Sequence, residues 1–480
     1  MGKKRDRHYQ SHSIYCWALK ALGHSRHIFP SVIAAATIAV GAALALTQPM
    51  PAGELKALAL VLPAIALWAT GVVPTYVTAL AFFTAAMLFK VAPAPMVFSG
   101  FESAALWLIF GGLVMGVAVR GTGLGQRLAE HLTTAFGTTY WGVIGGIVTM
   151  GAALGFIMPS SVGRVVLLVP IALSLADRFG FAPGSRGRLG VVLAAALGCD
   201  APTFSILPAN VPNLVLVGGA ETLWHVNFTY GGYLLLHFPV LGLLKGLLAV
   251  ILIVKLWPDM PRPQPAAAPA PMTADERSLA VLLTLALAFW ATDFVHHINP
   301  AWISMTAAVL LLLPLPRLGL VGHQAFSEQI NYGSVLFVAG IMGLGTIVNQ
   351  SGLGARLAGA ILSVVPLAPD QPVTNFAGLT AVSTLLGLIT TLPGVPAVLT
   401  PLAGQMASAS GLPLETVLHA QVLGFSTPIL PYESAPLVVA VGLGGERSGP
   451  LVKLCLLLAL LTVLLLLPLD FLWWRLLGRI

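Results

Sequence analysis

Charge is what this sequence has least of: only 9% of its 480 residues are Asp, Glu, Lys or Arg, against about a quarter in an average soluble domain. Cysteine is almost as scarce. Cys16, Cys199 and Cys455 stand far apart, without CxxC or Cys/His spacing, so no disulfide framework and no structural zinc are expected. No HExxH, GxSxG or P-loop occurs, and no sizeable soluble segment, which argues against a membrane enzyme or a receptor. The net charge of +7 does not imply a nucleic-acid partner, because the basic residues sit in short loops between apolar runs. No organic cofactor is called for.

What is abundant is apolar length. The chain is 57% hydrophobic, and runs of roughly 17 to 25 residues recur from Phe29 to Leu477, enough to cross a hydrocarbon core about 30 Å thick. They do not alternate polar and apolar as barrel strands would. The expected fold class is therefore an all-α polytopic membrane protein. Residues 1–28 read as a basic cytoplasmic tail carrying Lys3, Lys4, Arg5 and Arg7. The run that follows, 29–47, is too long for the core of a signal peptide. Further spans are expected near 56–73, 74–92, 103–120, 231–256, 277–296, 301–316, 333–350 and 451–474.

Four apolar stretches are interrupted. A hairpin at 141–177 breaks at Pro159–Arg164, and a broken helix at 189–217 breaks between Asp200 and Asn213. A second hairpin, 374–408, breaks at Thr390–Pro396, and a second broken helix, 414–443, at Pro428–Pro436. Each proline removes a backbone donor, so a continuous helix is disfavoured at these places. A Pro/Ala-rich cytoplasmic linker, 257–276, separates a first half, 29–256, from a second, 277–480.

The halves repeat each other. Trp68-Ala-Thr70 returns as Trp290-Ala-Thr292, and Gly123-Leu-Gly125 with Arg127 returns as Gly352-Leu-Gly354 with Arg356. Phe98-Ser99 pairs with Phe326-Ser327, Pro170 with Pro401, and Leu207-Pro208 with Leu430-Pro431. Two duplicated halves, each with an interrupted hairpin and a broken helix, point to a secondary transporter with its site at the repeat interface. With the amino terminus inside, most of the 24 lysines and arginines fall on the cytoplasmic side, and Lys56, Lys90, Arg356, Arg475 and Arg479 fall outside. That bias follows the positive-inside rule. It makes the repeats inverted, with about eleven spans, two re-entrant hairpins and the carboxyl terminus outside an inner (cytoplasmic) membrane.

This layout resembles the divalent anion/sodium symporter family over nearly the whole chain. Members carry Ser-Asn-Thr at each hairpin tip, about ten residues before a proline, and a Thr-Pro-Pro-Asn-like turn in each broken helix. Here the tips hold Ser160-Ser161-Val162 and Thr391-Leu392-Pro393, and the turns hold Asn210-Val-Pro-Asn213 and Glu433-Ser-Ala-Pro436. Only Ser160, Pro212 and Asn213 keep the family's residue type. The resemblance implies a homodimer of scaffold and transport domains working as an elevator, with sodium beside each tip and a carboxylate or sulfate between them.

The residues themselves suggest roles. Arg164 is costly in the membrane, about 2.5 to 3.5 kcal/mol, and needs a partner, either an anion or a structural carboxylate such as Asp200 or Glu433. Substrate binding is expected from Arg164, Ser160, Ser161, Asn213, Thr390 and Thr391. Ion coupling is expected from Asp200, Asn210, Glu433, Ser434 and Ser160, by protonation or as oxygen ligands. Lys245 reads as a snorkelling or interhelical lysine, and His225 and His237 stand isolated. The function so read is secondary active transport of a small anion, a di- or tricarboxylate or sulfate, coupled to sodium or protons. The alternative is a cation/proton antiporter using Asp200 and Glu433.

Overall fold

With no water in the bilayer core, an apolar chain must close its backbone hydrogen bonds internally, and the described elements are all helical. The computed structural model describes residues 50–70, 72–128, 139–262, 271–365 and 367–480. The expected tail 1–28, the span 29–47 and the centre of the linker lie outside the described residues.

The first half contributes α1 (Ala52–Thr70), α2 (Thr75–Leu88), α3 (Ala104–Thr122), α4 (Tyr140–Gly155), α5 (Ser161–Arg178), α6 (Arg186–Asp200) and α7 (Val211–Trp224). It ends with α8, the long span Tyr230–Leu256. The second half contributes α9 (Ala274–Ala291), α10 (Pro300–Leu312), α11 (Tyr332–Gln350), α12 (Leu353–Leu362), α13 (Pro372–Ile389), α14 (Gly394–Leu399), α15 (Ala403–Ser410), α16 (Leu414–Phe425) and α17 (Ala435–Gly444). The last span, α18, is Ser448–Leu476. Helix α12 was not anticipated from apolar length, because it is short and amphipathic.

Polar caps decide where several helices begin. Thr139, Ser160, Ser185 and Asn210 each accept a hydrogen bond from a first-turn N–H of α4, α5, α6 and α7 respectively. Thr273 and Glu276 form a reciprocal capping box at the start of α9. Two prolines displace the backbone register within long spans. Pro239 lies in a π stretch of α8, Phe238–Leu244, and Pro468 follows another in α18, Thr462–Leu466. The carbonyl of Leu235, four residues before Pro239, instead accepts from Trp473 Nε1 at 3.0 Å, which ties α8 to α18.

The sequence repeats do equivalent jobs. Trp68 Nε1 donates to the Thr75 carbonyl at 3.0 Å, and Trp290 Nε1 to the Pro300 carbonyl at 3.1 Å. Arg127 pairs with Glu276 at 3.1 Å, and Arg356 with Glu54 at 2.9 Å. Each pair thus joins an arginine of one half to a first-turn glutamate of the other.

Packing follows the same rule twice. Helices α4 and α5 lie on α6, and α5 also on α17, while α13 lies on α16 and α14 on α7. Close approach depends on small residues. A Cβ on Gly151 would sit 2.3 Å from the Gly198 carbonyl carbon, and one on Gly424 would sit 2.2 Å from Ser383 Cβ. Around this unit α3 packs on α10, and α2 on α11. The result is that α6 and α16 are enclosed on almost every side, and the breaks at their ends are buried.

Candidate functional site

Each helical hairpin ends in a tip that bonds to the broken helix of its own half. Between α4 and α5 the segment Phe156–Ser160 turns the chain, and Ser160 caps α5 by accepting from Gly163 N at 3.1 Å. Four residues on, the Arg164 side chain is fully buried. Its guanidinium donates to the carbonyls of Met158, Ala209 (2.6 Å) and Cys199 (2.9 Å), and to the hydroxyls of Ser161 and Thr203 (both 3.0 Å). Only Nε lacks a partner. Arg164 therefore meets neither Asp200 nor Glu433 in an ion pair among the described residues; five protein oxygens satisfy it.

The second tip is tied without a cation. Leu392 N donates to the Glu433 carbonyl at 3.1 Å, and Tyr432 Oη donates to the Leu388 carbonyl at 2.6 Å. Thr390 turns its hydroxyl to its own chain, at 3.0 Å from the Leu386 carbonyl and 3.1 Å from that of Thr391. Thr391 is half-buried, and its carbonyl accepts from Gly394 N at 2.8 Å.

The turn of the first broken helix is held by two amides. Asn210 caps α7 through Asn213 N (3.1 Å) and donates to the Thr203 carbonyl (3.1 Å). Asn213 donates to the carbonyls of Phe204 (3.0 Å) and Ile206 (2.9 Å), which leaves its buried Oδ1 without a partner. In the second broken helix Glu433 folds back on its own turn, accepting from Ile429 N (3.0 Å) and Leu430 N (2.7 Å).

One contact joins the two breaks. Ser434 Oγ donates to Asp200 Oδ1 at 2.5 Å, and Asp200 Oδ2 is buried without a hydrogen-bond partner. The structure thus brings Ser161, Arg164 and Asn210 into one network with Thr203, and Asp200 into another with Ser434, while the Ser160 hydroxyl caps its own helix. Thr390 and Thr391 stay within their own tip.

One expectation, Lys245 as an interhelical lysine, gains its partners here, and three further features escape sequence reading. Lys245, buried in α8, donates to the Ser426 carbonyl at 2.6 Å and to Thr427 Oγ1 at 2.9 Å, so it holds the end of α16. Asp470 is buried in α18 with neither carboxylate oxygen bonded. His237, alone in the sequence, meets His419 across the two halves, Nε2 to Nδ1 at 3.0 Å, beside Trp474. Finally, the half-buried Arg120 of α3 brings its Nη1 to within 3.4 Å of where a Gly163 Cβ would be, and it has no hydrogen bond or ion pair among the described residues. The one legible signal was spacing: Gly112, Gly116 and Arg120 share a helix face.

The space beside Asp200, Lys245, Ser426 and Thr427 is about 10 Å³, enough for roughly one water. A cavity of about 690 Å³ lies elsewhere, between α13 and α18, and its lining is apolar apart from Thr380 and Thr384.

Two helical hairpins whose tips close on two broken helices inside an apolar bundle define a polytopic membrane transporter, not an enzyme. The sequence model of the family described as "Sodium:sulfate symporter transmembrane region" matches residues 25–480, and the chain belongs to that family. A membrane protein of Cupriavidus necator is 26% identical over 407 residues, 75% of this chain and 79% of that protein. The L-tartrate/succinate antiporter of Escherichia coli K12 is 25% identical over 401 residues, 78% of this chain and 79% of its own length. Among solved structures, the YdaH transporter of Alcanivorax borkumensis shares the fold, with a TM-score of 0.54 and 17% identity over 88% of this chain and 98% of that one. The chain is thus a multi-pass secondary anion transporter.

Proposed function

We propose that the transported anion is a di- or tricarboxylate or sulfate, and that it is carried by an elevator motion of the hairpins and broken helices against the surrounding helices. The observation that carries this reading is the network at the breaks. Hairpin tip, broken helix and opposite broken helix are linked through Arg164, Asp200 and Ser434, so they can travel as one body. The relatives named as exchanging tartrate and succinate support the dicarboxylate class.

Within that reading the anion rests at the first tip. Arg164 is consumed by protein oxygens, so its part is to shape the tip, and the positive charge facing the ligand is Arg120. The hydroxyls of Ser160 and Ser161, with the first turn of α5, supply donors next to it. Thr390, Thr391 and Asn213 complete the seat when the two tips approach. The repeats are inverted, dividing the chain at the linker 257–276, and the protein works as a homodimer in the inner membrane with its amino terminus cytoplasmic and its carboxyl terminus outside. Proteoliposome uptake of labelled succinate, L-tartrate, citrate and sulfate tests the proposal.

The unbonded oxygen of Asp200 favours one rival, a cation/proton antiporter with Asp200 and Glu433 as its exchange site. In that case all four anions are ignored while added sodium collapses an imposed pH gradient.

A further inference from the structure

We infer that the two broken helices carry their own cations, Arg164 and Lys245, in the places where a sodium ion would couple, and that anion movement in this protein is independent of sodium. The inference rests on the proposed anion transport and concerns what drives it.

A helix ends in unpaired carbonyls that carry partial negative charge. In carriers built on broken helices, those ends and the unwound carbonyls beside them coordinate the coupling sodium or proton. Here α6 ends at Asp200, and the oxygens gathered around its end are the carbonyls of Cys199, Ala209 and Met158 and the hydroxyls of Thr203 and Ser161. An all-oxygen set of carbonyls and hydroxyls suits a hard cation. All five instead accept from Arg164, which is covalently part of the tip.

The other break repeats the solution with a different residue. Helix α16 ends at Phe425, and the next carbonyl, Ser426, and the hydroxyl of Thr427 accept from Lys245 Nζ. Lys245 does not come from the second hairpin but crosses from α8, in the other half of the chain. Asp200 and Cys455 line the same small space, which holds roughly one water, and the carbonyl and hydroxyl that a dehydrated ion would need there already accept from Lys245. The residues present at both breaks therefore do not fit sodium.

A sodium ion that binds on one side and leaves on the other contributes its gradient to transport. A side chain cannot leave. Arg164 and Lys245 remain at the breaks in every state of the cycle, so the free energy for uptake comes from another solute, and a second anion travelling the opposite way is the simplest supply.

The test uses the full chain reconstituted in proteoliposomes preloaded with unlabelled succinate or L-tartrate. Labelled succinate should enter at the same rate, within about twofold, whether the outer cation is sodium or choline, and entry should fall to background when the lumen holds no anion. A saturable requirement for sodium overturns the inference, and so does uptake into anion-free vesicles driven by a sodium gradient. If none of the four anions enters under any condition, the transport proposal itself fails, which is a separate result. A second measurement needs no transport. In detergent, sodium chloride and choline chloride should give equal melting temperatures for the wild type, and a sodium-specific rise above about 2 °C overturns the inference. Arg164→Ser empties the first cage and should gain that sodium-specific rise; a folded variant as indifferent as the wild type shows that the cage is not a cation seat.

Discussion

Ser434 and Asp200, 234 residues apart, share a 2.5 Å hydrogen bond that joins the second broken helix to the first. A hydrogen bond to a charged group contributes about 1.5 to 3 kcal/mol, and here it holds the one bonded oxygen of a buried carboxylate. Ser434→Ala and Asp200→Asn should each lower the melting temperature in detergent. Their double variant should lose less than the sum, with a coupling of about 1 to 3 kcal/mol in a double-mutant cycle. Strict additivity contradicts the bond.

Arg164 makes the heavier prediction. Its removal leaves five oxygens without their donor, and a buried acceptor left unpaired costs about 1 to 3 kcal/mol. Arg164→Ala should destabilise by about 3 kcal/mol or more and reduce uptake to background, as measured by thermal unfolding and transport. Arg164→Lys should rescue little, because an ammonium has three donors and no planar fork.

Arg120 should behave in the opposite way. It makes no protein bond among the described residues, so Arg120→Gln should leave the melting temperature within about 1 °C. If it faces the anion, the variant's KM should rise by about ten- to a hundredfold, the equivalent of one charge-assisted hydrogen bond. An unchanged KM removes Arg120 from the site.

The pair of Arg127 and Glu276 gives a prediction in pH. The hydrogen bond from Arg127, with one from the Thr273 backbone, holds the Glu276 carboxyl below the usual carboxylate value. A lowered value means that the stabilisation is complete above about pH 4.3 and is lost as pH falls through the lowered value. Glu276→Gln should therefore melt lower than the wild type near neutrality, and the two curves should converge only once pH has fallen below that lowered value. A gap that persists in acid means that the ion pair is not its source.

Hydropathy and proline placement made much of the architecture readable. The expected span 231–256 corresponds to the helix Tyr230–Leu256, and 333–350 to Tyr332–Gln350. The interruption expected at Pro159–Arg164 is displaced toward the amino terminus: the helix is absent from Phe156 to Ser160, and Ser161–Arg164 already form the first turn of α5, which Ser160 caps. Resolution was lost at the partners. Arg164 bonds mostly to carbonyls, which every residue possesses, so its acceptors leave no trace in composition. Lys245 and Ser426 are 181 residues apart, and His237 and His419 are 182, and only tertiary packing brings them together. Asp470 was hidden for a different reason: one acid in a long leucine-rich run hardly lowers its hydropathy. The chemistry of the breaks was thus legible as residue types and not as pairings.

Gly112 supplies one more consequence. Its hypothetical Cβ would lie 2.3 Å from Pro159 Cγ, so the first tip rests directly on the bare backbone of α3, with Gly116 one turn further along. A rigid proline ring against a glycine track has no side chains to interlock. Under the proposed elevator motion such a surface would serve as a bearing, letting the two bodies slide past each other without first unpacking. Any residue larger than glycine at position 112 would act as a brake on that motion, slowing turnover more than it weakens the hold on cargo.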